Sequence, residues 1–387
     1  MKLIGIVTGT RAEYGLLSRT IKLLQDNENF DTRIFACGAH LSPEHGYTIS
    51  ELEGSGVKNI IPVEMLISSA TRVGVAKSVG VATMSFADAF SRDNLDAVMV
   101  LGDRYEILAA AQAAMFLDIP LIHLHGGEVT EGAFDDAIRH SITKMANIHL
   151  PAAEEFAKRI YQLGEDPKSV FVVGSPGIDN IVNGPRMNKS ELEASLGFEI
   201  NRPSALVTYH PVTKTQNSNE NNITPLVNAI KNNPELTYII TFPNADGGGK
   251  MIIDKWQSIE HLDNVHLVPS LGFIRYLSVM EHVDCVVGNS SSGIIEAPSF
   301  CVGTVNIGSR QHGRPKAVSV IDVQMEEKAI NKALNQCCQP HFKENLIKLK
   351  NPYGQGGTAQ IIVELLSEIN FDDFKIKTFM DYRINEK

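Results

Sequence analysis

Residues 98–144 read VMVLGDRYEILAAAQAAMFLDIPLIHLHGGEVTEGAFDDAIRHSITK, and two apolar runs in this stretch stop abruptly at charged groups. VMVLG runs into Asp103 and Arg104, and PLIHLHGG runs into Glu128, with Asp135, Asp136, Arg139 and His140 a few residues on. Short apolar runs separated by helical patterns are the signature of a parallel sheet, and parallel sheets carry their binding and catalytic groups at the carboxyl ends of the strands. A helix cap or a solvated charge accounts for Asp103 or Asp135 taken singly. Four carboxylates at two successive strand ends point instead to acid/base groups of one site.

The same alternation extends outward in both directions. KLIGIVTG, DTRIFACG, AVMVLGD, IPLIHLHG and NIHLPA form one series of strands; SALVTYHP, TYIITFPNAD, VHLVPSL, DCVVGNSS and CVGTVNIG form a second. Between them IVNGPRMN, residues 181–188, gathers Asn, Gly and Pro and reads as a linker. An α/β fold of two Rossmann-like domains facing a central cleft follows, with 1–180 as the first domain and 189–365 as the second. A chain of 387 residues is long enough for two such cores.

Composition narrows the function. Hydrophobic residues at 43% and charged residues at 21% describe an ordinary globular protein, and a net charge of −10 disfavours nucleic acid as a partner. No apolar run reaches the roughly 20 residues that span a bilayer, so no membrane partner is expected. Five cysteines without CxxC spacing fit a reduced, cytoplasmic protein.

Several motifs carry their own chemistry. TGTRAEYG closes the first strand with a tight turn and a helix from about Ala12, yet matches neither the dinucleotide fingerprint nor the P-loop, and GGGK at 247–250 lacks the rest of a Walker motif. VVGNSSSGIIEAP sets Ser290, Ser291 and Ser292 before a helix expected near Gly293, an arrangement whose free N–H groups suit a diphosphate. With Asn at 289 it fails the G-x-S-x-G elbow, which disfavours a serine hydrolase. Glu296, one turn on, suits the two hydroxyls of a ribose. His123 and His125 alternate on a strand and would share a face with Glu128, but without a third well-spaced ligand no metal is expected. His210 in TYHPVT suits a phosphate or sugar, and Arg310 and Arg314 in GSRQHGRP suit a phosphate, against the plainer alternatives of a loop histidine and a surface charge pair.

TGTRAEYG, LGDRYE, HGGEVTEGAFDDAIRHSITK, HPVT, FPNAD, GNSSSGIIEAP and NIGSRQHGRP, in that order from residue 8 to about 315, resemble the UDP-N-acetylglucosamine 2-epimerase family, and HGGE followed by DDxIRH resembles its hydrolysing branch. The resemblance implies a GT-B fold and a UDP-sugar substrate, with no cofactor and no metal; it places the sugar and acid/base side in 1–180 and UDP on 189–365, and returns 366–387 to the first domain. It implies UDP contacts at Arg11, Arg104, His210, Asn244, Ser290, Ser291, Ser292, Gly293, Glu296 and Arg310. Acid/base work falls to Asp103, Glu128 and Asp135, with Asp136 adjacent, and His125, Arg139 and His45 are expected near the sugar. Position 15 is Gly where relatives carry Ser, so one side-chain contact is missing. The implied reaction turns UDP-N-acetylglucosamine and water into N-acetylmannosamine and UDP for sialic acid and surface polysaccharide, in a homodimer or homotetramer. A diacetamido-trideoxy substrate of legionaminic acid synthesis, a GT-B glycosyltransferase and a silent UDP-sugar sensor are the competing expectations.

Overall fold

The computed structural model describes residues 1–43, 47–67, 71–129, 134–212, 222–243 and 249–381. The chain divides into two compact units, residues 1–180 with 356–387 and residues 181–355. Each unit is built on its own six-stranded, fully parallel sheet.

In the first unit the strands are β1 (Lys2–Thr8), β2 (Phe30–Cys37), β3 (Ile60–Val63), β4 (Ala97–Leu101), β5 (Leu121–Leu124) and β6 (Ile148–Leu150). Their order is β3-β2-β1-β4-β5-β6, which reverses direction between β1 and β4. Of the apolar runs noted above, those of β1, β2, β4 and β5 are inner strands covered on both faces, as continuous hydrophobic sequence predicts, and NIHLPA supplies the edge strand β6. Ile4, Ile6, Met99 and Leu101 face one layer, packed with Leu17, Ile21 and Leu24 of the helix Arg11–Gln25. Val7, Val98 and Val100 face the other, against Phe86, Phe90 and the alanines of the helix Tyr105–Phe116.

The second unit repeats the pattern with β7 (Ser204–Thr208), β8 (Thr237–Thr241), β9 (Val265–Val268), β10 (Cys285–Gly288), β11 (Gly303–Ile307) and β12 (Val320–Val323), ordered β12-β11-β10-β7-β8-β9. Its reversal lies between β7 and β10, where Gly288 has φ 135° and a Cβ would stand 1.9 Å from the Thr208 carbonyl oxygen. No other residue fits there.

Two strands were not anticipated, β3 and β12. Both are four-residue strands at the outer edges of their sheets, and β3 contains Pro62, which an edge tolerates. The return to the first unit begins at Gly356, whereas the sequence reading kept residues up to 365 with the second domain. The helix Thr358–Glu368 packs on Arg11–Gln25, and the apolar period that specifies it does not say which sheet it covers. Buried Asp179 accepts from the N–H groups of Thr358 (2.9 Å) and Ala359 (2.6 Å) at its start, and Lys2 Nζ donates to Leu366 and Ile369 carbonyls (2.6 Å each) at its end. Both charges oppose the helix dipole favourably.

Candidate active site

In the first unit the carboxyl ends of β4 and β5 and the helix Phe134–Met145 bring the expected acidic groups together. Arg139, 6% exposed, lies at their centre. It donates through Nη2 to Asp103 Oδ2 and through Nη1 to the Glu128 carbonyl oxygen (3.0 Å), and lies 3.7 Å from Asp136. Burial raises the Asp103 pKa; Arg139 opposes that, while the charges of Asp135 and Glu128 reinforce it. The Asp135 and Glu128 carboxylates thus act on Asp103, which Arg139 holds, and Asp103 keeps a proton more readily than a free aspartate.

Glu128 has a second anchor. Its Oε1 is 2.6 Å from His125 Nδ1, and His125 Nε2 is 3.5 Å from Ser175 Oγ. His125 has φ +62°, a left-handed conformation that a histidine adopts only at a cost and that turns it out of the strand. This corrects one expectation: β5 ends at Leu124, so His123 and His125 do not share a face. His123 is fully buried, bonded to the Gly102 carbonyl (2.8 Å) and Thr143 Oγ1 (3.2 Å), and burial pushes its pKa down to about 3. It is a neutral packing residue. Gly127, with φ +78° and a Cβ position 2.2 Å from the Phe156 carbonyl oxygen, lets the HGGE turn pass this close to the next helix. Among the described residues no group of three or more His, Cys, Asp or Glu is placed to hold a metal.

In the same unit Arg104 and Arg11 stand at the ends of β4 and β1. Arg104 is held by Glu106 at 3.1 and 3.3 Å, and largely exposed Arg11 pairs with Glu51 at 2.9 Å. At Gly15 nothing stands within 4 Å of where a side chain would begin.

The second unit has a cavity of about 470 Å³ at the carboxyl ends of β7, β8 and β10. His210, Ser290, Ser292 and Glu296 line it, together with three groups the sequence reading missed, Thr208, Thr241 and Tyr276. Thr208 Oγ1 lies 2.8 Å from Thr241 Oγ1 and 3.3 Å from the Tyr276 hydroxyl. Glu296 Oε2 is buried without a hydrogen-bond partner among the described residues; burial raises its pKa, opposed by Ser292 and Arg314. A buried acceptor with nothing to accept from suits a ligand hydroxyl.

Ser291, Gly293 and Arg310 do not line this cavity. The helix expected near Gly293 is a single turn, Ser292–Ile295, followed by a 3₁₀ turn. Ser291 caps that turn through its carbonyl, and a Cβ on Gly293 would stand 2.6 Å from Thr304 Cγ2, so these two serve the packing of the turn. Asn289 organises the loop: its Oδ1 accepts from His210 N–H (2.7 Å), its Nδ2 donates to the His210 carbonyl (2.8 Å), and its own carbonyl accepts from Arg310 (3.0 Å) and Gln311 (2.9 Å). The signal for Asn289 lay in the sequence, where it served only to dismiss the nucleophile elbow; Thr208 and Thr241 are hydroxyl residues ending apolar strands. Asn244 and His45 lie outside the described residues. No helix among the described residues is long and apolar enough to cross a membrane.

Comparison with known proteins agrees with this architecture. A family model described as UDP-N-acetylglucosamine 2-epimerase matches residues 22–367. The polysialic acid biosynthesis protein P7 of Escherichia coli is 38% identical, covering 99% of this chain and 97% of that protein. A hydrolysing GDP/UDP-N,N'-diacetylbacillosamine 2-epimerase of Campylobacter jejuni is 37% identical, covering 98% of both. The crystal structure of UDP-GlcNAc 2-epimerase from Neisseria meningitidis bound to UDP-GlcNAc superposes with TM-score 0.74 at 21% identity, covering 95% of this chain and 99% of that one, so the GT-B-like two-domain fold is shared. With two parallel sheets, the HGGE–DDxIRH cluster and a full-length match, the chain belongs to the UDP-N-acetylglucosamine 2-epimerase family.

Proposed function

We propose that the protein is a hydrolysing epimerase that converts UDP-N-acetylglucosamine and water to N-acetylmannosamine and UDP. The observation that carries this reading is the grouping of Asp103 with the charges of Glu128 and Asp135, with Arg139 on the Asp103 carboxylate and the Glu128 backbone and His125 on the Glu128 carboxylate. The C2 proton of the sugar is only weakly acidic, so its removal must accompany or follow breaking of the C1–O bond to UDP. A carboxylate takes the C2 proton, the C1–O electron pair leaves with UDP, and the product of this anti elimination is 2-acetamidoglucal. Water then adds its oxygen to C1, and a proton returns to C2 on the opposite face, giving the manno configuration.

In this reading Asp103 and Glu128 handle the protons at C2 and in hydration, and Asp135 acts as a base or positions the others, with Asp136 beside it. The raised pKa of Asp103 suits a group that must hold a proton for part of the cycle. Arg139 and His125, and His45 as the sequence suggests, lie on the sugar side. The second-unit cavity takes the uridine diphosphate, with His210, Ser290 and Ser292 on phosphate and Glu296 on the ribose hydroxyls; Ser291, Gly293 and Arg310 support that loop, and Asn244, Arg11 and Arg104 complete the UDP contacts. The product would supply sialic acid for a surface polysaccharide. A cytoplasmic homodimer or homotetramer completes the proposal, supported by five free cysteines and by Met84 and Phe116, 65% and 79% exposed.

A second reading rests on the Campylobacter relative's printed activity: the same reaction on a UDP-2,4-diacetamido-2,4,6-trideoxy sugar. Chromatography of reactions with each UDP-sugar separates the two. The proposal expects UDP release with UDP-N-acetylglucosamine at a kcat/KM at least tenfold higher. The reverse preference establishes the second reading, and no UDP release from either without an acceptor would favour a glycosyltransferase or a binding protein.

A further inference from the structure

Beneath the first strand's turn lies a charged group that the reaction above does not use. Glu13 is 6% exposed and Glu106 is 1% exposed, yet both turn their carboxyls toward Arg104. Glu106 binds the guanidinium through both oxygens, Oε2 to Nε at 3.3 Å and Oε1 to Nη2 at 3.1 Å. Glu13 Oε1 stands 3.9 Å from the same Nε, and its Oε2 accepts from Gly9 N–H at 2.7 Å. The opposite edge of Arg104 faces outward, its side chain 45% exposed. Two glycines keep room for the carboxyls: a Cβ at Gly38 would stand 3.0 Å from Glu106 Oε1, and one at Gly9 would stand 3.3 Å from Glu13 Oε2.

Two carboxylates against one guanidinium leave a buried surplus of negative charge, which is costly and works against an anion approaching the open edge of Arg104. A proton on Glu13 removes both problems. We propose that Glu13 and Glu106 are positioning residues that hold Arg104 for an anionic phosphate of the substrate, and that Glu13 takes up a proton as the anion binds and gives it back as the anion leaves. The inference rests on the UDP-sugar reading above and deepens it.

The surroundings favour this choice of group. Burial lifts Glu13 to a pKa of about 7, with the Gly9 hydrogen bond and Arg104 opposing and Glu106 reinforcing the shift. The other titratable neighbours stay neutral near pH 7. Burial drives the Cys37 thiol on β2 well up and the Tyr105 hydroxyl beside Glu106 up to about 12, and it drives His40, bonded to Thr8 Oγ1 (3.0 Å) and Thr48 Oγ1 (2.9 Å), down to about 4. A bound phosphate adds negative charge nearby and draws the proton onto Glu13.

Isothermal titration of UDP into the full chain tests this. Wild-type Kd should weaken about threefold to tenfold between pH 6.5 and 8.5, the fraction of protonated Glu13 setting the apparent affinity. UDP itself gains negative charge over this range, which would tighten binding, so weakening must come from the protein, and its loss in the variant separates Glu13 from His210 on the phosphate side. In Glu13→Gln, which keeps the Gly9 hydrogen bond but cannot ionise, Kd should no longer weaken and should follow the ligand's own modest tightening, matching wild type at pH 6.5 and exceeding its affinity at pH 8.5. At pH 7.5, paired buffers of different ionisation enthalpy should show several tenths of a proton more uptake by wild type than by the variant. Equal uptake in the two proteins, or a wild-type Kd that is flat or tightens with pH, overturns the inference and leaves the UDP reading standing. Absence of UDP binding in wild type overturns both. Should the variant not fold, the wild-type pH series repeated in His210→Gln decides: weakening that persists there supports the inference, and weakening that disappears overturns it.

Discussion

At the strand ends of the first sheet, charged groups face one another: Asp103 on Arg139, Glu128 on His125, Glu106 on Arg104. At the corresponding ends of the second sheet the polar lining of the cavity is mostly hydroxyls, Thr208, Thr241, Tyr276, Ser290 and Ser292 among them, set among apolar residues such as Phe242 and Leu271, with Glu296 and His210 as its ionisable groups besides the tyrosine. The two sheets have the same strand topology, so the difference lies in the loops. Groups that move protons need neighbours that shift their affinity for a proton, and opposed charges supply that. Groups that hold a diphosphate and a ribose need fixed hydrogen-bonding atoms, and neutral hydroxyls supply them with little desolvation cost. On this account the first unit carries the chemistry, with Arg104 as a phosphate contact beside it, and the second carries most of the grip.

Substitutions that separate turnover from affinity would break that division or sharpen it. Glu128→Gln should have the largest effect, lowering kcat about a thousandfold in steady-state assays while leaving the Kd for UDP within about twofold. A comparable loss of UDP affinity would put Glu128 in the grip. Arg139→Met removes the shared partner of Asp103 and Glu128: kcat should fall about a hundredfold, and urea unfolding should show a loss of about 3 kcal/mol from the carboxylate left without its partner. Unchanged turnover would mean the carboxylates are oriented by something else.

The second unit should answer in the opposite sense. Asn289→Ala leaves the His210 N–H and carbonyl without their partners, and UDP binding by titration should weaken about tenfold to thirtyfold while kcat at saturation changes less than threefold. The smallest effect is expected at a charge cluster away from both sites. Glu165 accepts from Lys144, Lys377 and His149; burial pushes its pKa up, but these three hydrogen bonds outweigh that and hold it at about 2. A depressed carboxylate stabilises the fold above its unfolded value near 4.5, and that contribution is lost as pH falls from there toward 2. Hydrogen exchange of residues 371–380 should therefore quicken as pH is lowered from 5 to 3 by more than the intrinsic rates change, and Glu165→Gln should cost roughly 2 °C in Tm with kcat and Kd unaltered.

The sequence disclosed the parts of the fold that burial on both faces writes into long apolar runs, such as KLIGIVT and AVMVL. It concealed β3 and β12, four-residue edge strands whose apolar runs are broken by Pro62 and Asp322, and it concealed the allegiance of Thr358–Glu368, because an apolar helix face fits either sheet. In the site, the carboxylates were legible because they end strands. Asn289 and Glu13 were not, since each acts by tying other residues in place, through contacts with residues as distant as His210 and Arg104 that spacing along the chain does not reveal. His125 was misplaced for a related reason: the two-residue period of a strand holds only while the strand continues, and a positive φ ends it.

Proton transfer at C2 is the step that the charged cluster of the first unit exists to perform in this account, and proton NMR of the reaction in deuterated water reads it directly. With UDP-N-acetylglucosamine as substrate, the free N-acetylmannosamine formed alongside UDP should carry deuterium at C2. Product retaining the original hydrogen at C2, or UDP released with the sugar still in the gluco configuration, would contradict the account.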